Sequence, residues 1–184
     1  MNVYDFDKTI YNGDSSVHFY LYNLKKDFMM IRYIPRQLSA LIRYKLKKIS
    51  KTEMKTIVYT YFESIPDMDQ RVKEFWNKHE KHIQIWYLKK REEDDVIISA
   101  SPTFLLEPIC NKLNVKLIAS IVDKKTGNNL RENCYGEEKP IRFKEHYDLS
   151  DIDEFYSDSI SDEPMASHAN KAFLVKKEKI KPWI

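Results

Sequence analysis

Residues 1–16 of the 184-residue chain read MNVYDFDKTIYNGDSS, and YDFDKT at 4–9 places Asp5 and Asp7 directly after a short apolar stretch. Two carboxylates so close raise each other's pKa unless a cation or hydrogen-bond donors hold them. Residues 2–6 are typical of a short strand that ends at these carboxylates. In an open α/β sheet, ligands bind at the carboxyl ends of strands. The stretch therefore predicts a ligand site at the end of the first strand.

Composition and charge exclude several classes of function. The chain has 31 Lys and Arg against 28 Asp and Glu, a net charge of +3, and the two signs are interspersed through most of the sequence. We therefore expect no nucleic-acid binding. Only three glycines occur, which excludes a glycine-rich phosphate loop. With 42% hydrophobic and 32% charged residues, the chain has the composition of an ordinary folded protein that buries a core.

The cysteines and the hydropathy pattern bear on the compartment. Cys110 and Cys134 are far apart and form neither a metal-ligand pair nor a redox pair. Reduced thiols are typical of a cytoplasmic protein. No run approaches the roughly 20 apolar residues that span a bilayer, and no N-terminal stretch has a basic region followed by an apolar block. We expect a cytoplasmic protein without a transmembrane segment, and the oligomeric state stays open.

The first strand and the next buried run, DVIIS at 95–99, are separated by a long helical segment. Pro35 favours a helix start, Thr52 is a plausible N-cap, and a third helix is expected from about Asp69. The apolar positions with helical spacing are Leu38, Leu41, Ile42, Leu46 and Ile49; Met54, Ile57, Val58, Tyr61 and Phe62; and Val72, Trp76, His79, Ile83 and Tyr87. We predict that this segment is an insertion in an alternating fold.

After residue 99 the pattern alternates between strands and helices, which predicts a parallel sheet in an α/β domain. Residues 124–129 form a turn that is expected to close a hairpin with 130–135. The expected strands are 115–122, 152–157 and 172–175, and the expected helices begin near Pro102, Pro140 and Pro164.

Four polar segments lie at or near the ends of the expected strands. They are DFDKT at 5–9, ISASP at 98–102, GEEK at 136–139 and SDSISD at 157–162. Mg²⁺ takes oxygen ligands and is bound through one or two carboxylates together with a substrate phosphate. Asp5 and Asp158 are suitable carboxylates, and Lys139 would balance negative charge on the other side.

These segments match, in order, the four motifs of the haloacid-dehalogenase-like hydrolases, and the chain resembles the phosphoserine-phosphatase-like branch of that family. The resemblance covers the whole chain, because the helical insertion lies where that branch has its cap. It implies an α/β fold with a Rossmann-like core, a parallel sheet flanked by helices, at 1–13 and 91–184. An all-helical cap subdomain at 14–90 would lie between the first and second motifs.

The resemblance also implies catalytic roles. Asp5 would be the nucleophile that forms an aspartyl-phosphate, and Asp7 would protonate the leaving oxygen and later accept a proton from water. Ser99, Ala100 and Lys139 would bind the phosphate, with the Ser99 hydroxyl on a phosphoryl oxygen and Lys139 offsetting negative charge.

The resemblance implies a Mg²⁺ site as well. The ion would be held by Asp5, the backbone carbonyl of Asp7 and Asp158, with Asp162 near its water ligands. Asp14 lies where phosphoserine phosphatases carry an acidic residue that meets the substrate amino group. The expected activity is Mg²⁺-dependent hydrolysis of a small phosphorylated metabolite, and Asp14 alone suggests a phosphoserine-like substrate.

Several alternatives stay open at this point. The same fold could transfer the phosphoryl group to a second alcohol, as a phosphotransferase or phosphomutase, or could be a catalytically idle binding protein. GDS at 13–15 resembles a serine-esterase block, but PMAS at 164–167 lacks the required aspartate before His168. A basic stretch contains Arg32, Arg36, Arg43, Lys45, Lys47 and Lys48. Such a face is usually solvated, and a membrane-surface or anionic-substrate role stays open.

Overall fold

The computed structural model describes residues 1–183, in which six strands and eight α-helices are found. The strands are β1 (Asn2–Tyr4), β2 (Val96–Pro102), β3 (Lys116–Ser120), β4 (Glu154–Ser157), β5 (Lys171–Lys176) and β6 (Lys179–Pro182). The helices are α1 (Ser15–Lys26), α2 (Ile34–Lys45), α3 (Lys51–Tyr59), α4 (Met68–His79), α5 (Ile85–Lys90), α6 (Thr103–Leu113), α7 (Glu138–Phe143) and α8 (Glu163–Ala166). Short 3-10 helices cover Phe28–Tyr33, Thr60–Ser64, Glu80–His82, Leu149–Asp151 and Ile160–Asp162. None of these helices is long and apolar enough to cross a membrane.

The strands form one sheet in the order β3-β2-β1-β4-β5-β6. The first five are parallel, and β6 pairs antiparallel with β5. Tyr4 of the central strand lies opposite Ile97 on one side and Tyr156 on the other. The chain runs outward from β1 through β2 to β3 and then crosses to β4 on the other side of β1, and this reversal opens a crevice at the carboxyl ends of the strands. The expected α/β fold, a parallel sheet flanked by helices, is confirmed.

Side chains alternate between the two faces of β1, as a strand with both faces covered requires. Tyr4 points into a large cluster that contains the helices between β1 and β2. Val3 points into a second cluster with Phe155 and with Phe143 of α7. Both Tyr4 and Val3 are fully buried, so the strand that leads to Asp5 is held from both faces.

The segment between β1 and β2 is helical, as the sequence predicted, but it contains five helices, α1–α5, instead of three. The helix expected from about Asp69 ends at His79, and Tyr87 belongs to the separate helix α5. Phe19, Phe62 and Phe75 of this segment belong to the same buried cluster as Tyr4. The Trp76 indole of α4 also donates a 2.6 Å hydrogen bond to the Leu105 carbonyl of α6. Part of the segment therefore packs directly on the sheet layer, and the subdomain boundary at 14–90 stays a prediction.

The start of α3 differs from the prediction. Ser50, not Thr52, is the N-cap: Ser50 Oγ accepts a hydrogen bond from the Glu53 amide (3.1 Å), and the Glu53 carboxylate accepts one from the Ser50 amide (2.7 Å). This capping box satisfies two amide groups at once, which a cap at Thr52 could not do.

One further prediction is wrong, and one strand was missed. Residues 130–135 form no strand, and the expected hairpin is reduced to a single bridge between Val122 and Asn129. The Asp123 carboxylate instead accepts hydrogen bonds from the amides of Lys125 and Thr126, which stabilises an irregular turn. Strand β6 was not expected, because all four of its residues are exposed and carry no buried apolar pattern.

Candidate active site

The carboxyl ends of β1, β2 and β4 meet at one cavity of about 550 Å³. Asp5 extends the ladder beyond β1, since its amide donates to the Tyr156 carbonyl at 2.8 Å. The cavity is lined by every residue to which the sequence assigned a role: Asp5, Asp7, Asp14, Ser99, Ala100, Lys139, Asp158 and Asp162. A neighbouring groove of about 860 Å³ shares Lys51 and Tyr135 with this cavity but contains neither Asp5 nor Asp7.

Asp5 is one of two carboxylates held by a single buried ammonium. Lys139 Nζ lies 2.7 Å from Asp5 Oδ1 and 2.7 Å from Asp162 Oδ2, and Lys139 is only 1% exposed. Ser157 donates a further hydrogen bond to Asp162 Oδ2 at 2.7 Å. The other Asp5 oxygen accepts a 3.2 Å hydrogen bond from the Thr9 hydroxyl. Lys139 thus relieves, on the side of Asp5, the repulsion between the Asp5 and Asp7 carboxylates.

Burial and the neighbouring charge of opposite sign shift the pKa values of Asp5 and Lys139 in opposite directions. Burial raises the pKa of Asp5 to about 7, while the Lys139 ammonium opposes the rise and Asp162 adds to it. Burial alone would lower the pKa of Lys139, but the charges of Asp162 and Asp5 outweigh it and raise that pKa. One ammonium therefore does not fully compensate two buried carboxylates, and a further cation at Asp5 would favour its ionised form.

The Asp7 carboxylate is held by hydrogen-bond donors rather than by a cation. Its Oδ1 accepts a 2.5 Å hydrogen bond from the Ser15 amide, and its Oδ2 accepts one of 2.6 Å from Ser101 Oγ. Burial, with a contribution from the charge of Asp14, raises its pKa to about 6 against these two hydrogen bonds. A carboxyl whose pKa is raised toward neutral is suited to both donating and accepting a proton.

The next residue, Lys8, has a φ of +60°, a left-handed conformation that non-glycine residues adopt infrequently. Its amide donates a 2.8 Å hydrogen bond to the Gly13 carbonyl. This hydrogen bond helps to hold the turn that leads from the first motif toward α1. Such backbone strain is concentrated at functional sites.

A bulge shapes the end of β2. Ser99 pairs with Ala119 and Pro102 with Ser120, so Ala100 and Ser101 are extra residues between two paired positions. Ser99 Oγ accepts a 3.1 Å hydrogen bond from the Ser101 amide, and within residues 1–183 its own hydroxyl hydrogen has no acceptor. A buried hydroxyl with an unused donor at the cavity is suited to a phosphoryl oxygen.

The acidic residues at the cavity offer oxygen ligands for a metal ion. The Asp158 amide donates to Thr9 Oγ1 at 2.9 Å, which orients the residue beside Asp5. The Asp158 carboxylate is half-buried, accepts no hydrogen bond from another residue within 1–183, and has its pKa raised by burial. An unpartnered carboxylate beside a second one fits a hard cation such as Mg²⁺. A separate acidic group, Glu92, Asp94 and Asp95, precedes β2 at the opposite edge of the sheet and does not belong to this site.

Asp14 and Ser15 have structural contacts of their own. Asp14 caps α1, since its carboxylate accepts a 3.0 Å hydrogen bond from the Val17 amide. Ser15 is fully buried, and its hydroxyl donates to Ser101 Oγ at 3.2 Å. No histidine within residues 1–183 forms a hydrogen bond with Ser15, so the serine-esterase arrangement lacks its base. The substrate role of Asp14 stays a prediction.

Sequence reasoning missed two cations that reach the cavity from α3. Lys55 Nζ donates a 2.6 Å hydrogen bond to the Ala100 carbonyl, and Lys51 Nζ lies 2.9 Å from the centroid of the Tyr135 ring. Burial lowers the pKa of both, and Lys55 further lowers that of Lys51, to about 8. Their i, i+4 spacing places them on one face of α3. This spacing, together with the N-cap at Ser50, is the signal in the sequence that indicates a pair of cations on one side of the helix.

Sequence comparison identifies the family. The model of the family described as "haloacid dehalogenase-like hydrolase" matches residues 3–167. The chain belongs to this family. The match confirms the expected family and the expectation of a hydrolytic enzyme. No curated protein matches the sequence.

Solved structures show the same fold. A protein of unknown function from Bordetella pertussis Tohama I has a TM-score of 0.76 at 17% identity, over 94% of this chain and 87% of that one. A phosphoserine phosphohydrolase-like protein from Francisella tularensis subsp. tularensis SCHU S4 has a TM-score of 0.55 at 16% identity, covering 94% and 86%. Cytosolic 5'-nucleotidase IIIB bound to cytidine has a TM-score of 0.56 at 16% identity, covering 91% and 68%.

Proposed function

We propose that the protein is a Mg²⁺-dependent phosphomonoester phosphatase that acts through an aspartyl-phosphate at Asp5. The observation that carries the proposal is the convergence of Asp5, Asp7, Ser99 and Lys139 on one cavity from distant parts of the chain. The phosphatase names of two structural neighbours, the phosphoserine phosphohydrolase-like protein and the 5'-nucleotidase, agree with it.

Asp5 would attack phosphorus and displace the alcohol, which divides the hydrolysis into two displacements. Lys139 keeps Asp5 oriented through its 2.7 Å contact, and its charge would stabilise the negative charge of the phosphoryl group. The Ser99 hydroxyl would donate to a phosphoryl oxygen with the hydrogen that it does not use elsewhere.

Asp7 would move the protons. In its protonated form it would donate to the leaving oxygen, and as a carboxylate it would then accept a proton from the water that attacks the aspartyl-phosphate. Its pKa of about 6 keeps both forms populated near neutral pH.

Asp5, Asp158 and the carbonyl of Asp7 would hold the ion, with Asp162 close by through Lys139. When bound, Mg²⁺ supplies charge neutralisation of the phosphate and a template for in-line attack.

The proposed substrate is a small phosphorylated metabolite. The cavity of about 550 Å³ fits a molecule of that size, and Lys51 and Lys55 add positive charge beside Ala100. Residues 14–90 would act as the cap that excludes water during the reaction. We infer a cytoplasmic location, which the two unpaired, buried cysteines support.

The first test is phosphate release from p-nitrophenyl phosphate and a panel of metabolite phosphates, with Mg²⁺ and with a chelator. We expect metal-dependent turnover by the wild type and a loss on the order of 10³-fold or more in Asp5→Asn, which removes the nucleophile but keeps the shape. Asp153→Asn, an exposed change away from the cavity, serves as the matched control. Equal activity of Asp5→Asn and wild type would refute the mechanism.

A further inference from the structure

Helix α2 turns its apolar side chains outward. Leu38, Leu41 and Ile42 of α2 and its C-cap residue Leu46, at i, i+3, i+4 and i+8, share one side and are 53, 40, 58 and 60% exposed. The face turned toward the protein carries Gln37, which accepts a hydrogen bond from Tyr20, and the small residue Ala40. A surface helix ordinarily buries its apolar stripe. In α2 the apolar stripe is exposed and the polar Gln37 is buried.

The 3-10 helix before α2 continues this pattern. Phe28, Met29 and Ile31 are 73, 63 and 47% exposed, while Met30 alone is buried. Seven of the sixteen exposed large apolar side chains within residues 1–183 thus lie between residues 28 and 46. Exposed apolar residues concentrated in this way, and rimmed by charge, mark an interaction surface.

The charge of the same segment is one-sided. Residues 28–50 contain no Asp or Glu and six exposed cations: Arg32, Arg36, Arg43, Lys45, Lys47 and Lys48. The whole chain has a net charge of +3, so the other 161 residues together carry −3. None of the six cations forms an ion pair with another residue in 1–183.

We propose that this face, formed by residues 28–48 and here called the docking face, binds the surface of an anionic lipid bilayer. The apolar side chains would enter the boundary between headgroups and acyl chains, as those of interfacial amphipathic helices do. The six cations would contact the phosphates of acidic lipids, which attract basic segments next to a membrane.

The charge and the exposed apolar side chains of the docking face argue against two other partners, a second copy of the chain and a nucleic acid. A second copy of the chain would bring one set of six cations against another, because a two-fold interface pairs the same surface with itself. Like charges facing each other across an interface are unfavourable. A nucleic acid would match the cations but would leave Leu38, Ile42 and Phe28 in contact with water. Of these three occupants, only a lipid surface satisfies both the cations and the apolar side chains.

The docking face reaches the candidate active site. Leu41 belongs to the exposed face and also lines the cavity that contains Asp5, together with Val17 of α1. Docking would therefore bring the mouth of the cavity to the bilayer surface. The binding itself does not depend on the proposed hydrolysis, so a failure of one leaves the other intact.

Sedimentation with vesicles tests the proposal. We expect the full chain to sediment with phosphatidylcholine–phosphatidylglycerol vesicles and not with phosphatidylcholine alone, and to be released as salt is raised. Arg36→Gln/Arg43→Gln and Leu38→Ser/Ile42→Ser should each lower the partition coefficient about tenfold or more. These positions are exposed, so the variants should fold, which circular dichroism would verify.

Matched control variants carry the same types of substitution, apolar to Ser and cation to Gln, outside the docking face. Ile85→Ser/Leu88→Ser changes two exposed apolar residues of α5, and Lys176→Gln/Lys179→Gln changes two exposed cations of the β5–β6 pair. Both should bind vesicles like the wild type. No sedimentation with acidic vesicles, or equal loss in the control variants, would overturn the proposal. So would a dimer in solution that the Leu38→Ser/Ile42→Ser variant dissociates without any vesicle binding.

Discussion

Lys139 Nζ lies 2.7 Å from Asp5 Oδ1, although 134 residues separate the two in the chain. The same ammonium contacts Asp162 at 2.7 Å, so α7 and the 3-10 helix that follows β4 are tied to the end of β1 through one buried cation. This contact compensates the charge of Asp5 in part, while Asp7 is held by the Ser15 amide and the Ser101 hydroxyl. We therefore expect Lys139 to contribute to stability and, in the proposed mechanism, to catalysis.

Lys139→Met should destabilise the protein and abolish phosphate release. The change leaves Asp5 and Asp162 buried without their counter-ion, and breaking a buried pair in this way costs about 3–5 kcal/mol. Urea unfolding measures the loss, which should shrink at acidic pH as the two carboxylates become protonated. Lys112→Met breaks only the exposed pair with Glu80 and should have a small effect. An unchanged unfolding free energy in Lys139→Met would contradict the assignment.

Ser101→Ala should shift the pH dependence of hydrolysis. Ser101 donates a hydrogen bond to Asp7, which favours the ionised carboxylate, so its removal raises the pKa of Asp7 above about 6. Asp7 would then remain protonated, and able to donate, to higher pH. The alkaline limb of the pH profile of kcat/KM should therefore move to higher pH. Ser167→Ala, far from Asp7, should leave the limb in place, and an unmoved limb in Ser101→Ala would argue against Asp7 as the proton donor.

Lys55→Met and Lys51→Met should weaken the binding of anionic substrates. Both ammonium groups reach the cavity, and a charge-assisted hydrogen bond contributes roughly 1.5–3 kcal/mol, so each change should raise KM about tenfold or more. Inorganic phosphate as a competitive inhibitor gives a second readout. Lys116→Met, an exposed change on β3, is the control. Unchanged KM and inhibition constants would exclude these lysines from substrate binding.

Asp95→Asn should stabilise the protein near neutral pH. Asp95 is fully buried, Oδ1 has no partner within residues 1–183, and burial raises its pKa to about 6. The native state therefore binds a proton that the unfolded chain, with an Asp pKa of about 3.9, releases, and stability falls as pH rises from about 4 to 6. Asn does not ionise, so the gain should be on the order of 1 kcal/mol at pH above 7 and close to zero at pH about 4.

Melting temperatures at the two pH values measure this difference. The hydrogen bond that Asp95 accepts from the Glu92 amide can be kept by the Asn carbonyl. Asp153→Asn, an exposed change, should show no such pH dependence. A variant that is less stable than the wild type at both pH values would disprove the burial argument.

Local patterns predicted most of the sheet and the helical insertion. The apolar runs of β1 and β2 identify buried strands, and the polar segments at strand ends fall together because parallel strands share one edge. Strand β6 has no such pattern, since Lys179–Pro182 is exposed throughout and is ordered by pairing with β5. Its existence depends on a contact that sequence periodicity does not record.

Periodicity also leaves the orientation of a helix undetermined. The spacing of Leu38, Leu41 and Ile42 predicted α2, but the apolar stripe faces outward. Lys51 and Lys55 were missed for a related reason: lysines on a helix are usually solvated, and only the placement of α3 over the end of β2 directs them into the cavity. By contrast, the start of α3 could have been predicted, because Ser50 and Glu53 have the spacing of a capping box.

Asp5 as the nucleophile is tested most directly by trapping the phosphoryl-enzyme. The protein is mixed with Mg²⁺ and a substrate that it hydrolyses, quenched with borohydride, and its peptides are analysed by mass spectrometry. Reduction converts an aspartyl-phosphate to homoserine, and we predict this conversion at residue 5, dependent on substrate and absent in Asp5→Asn. Turnover without any modification at residue 5, or modification at Asp7 instead, would contradict it.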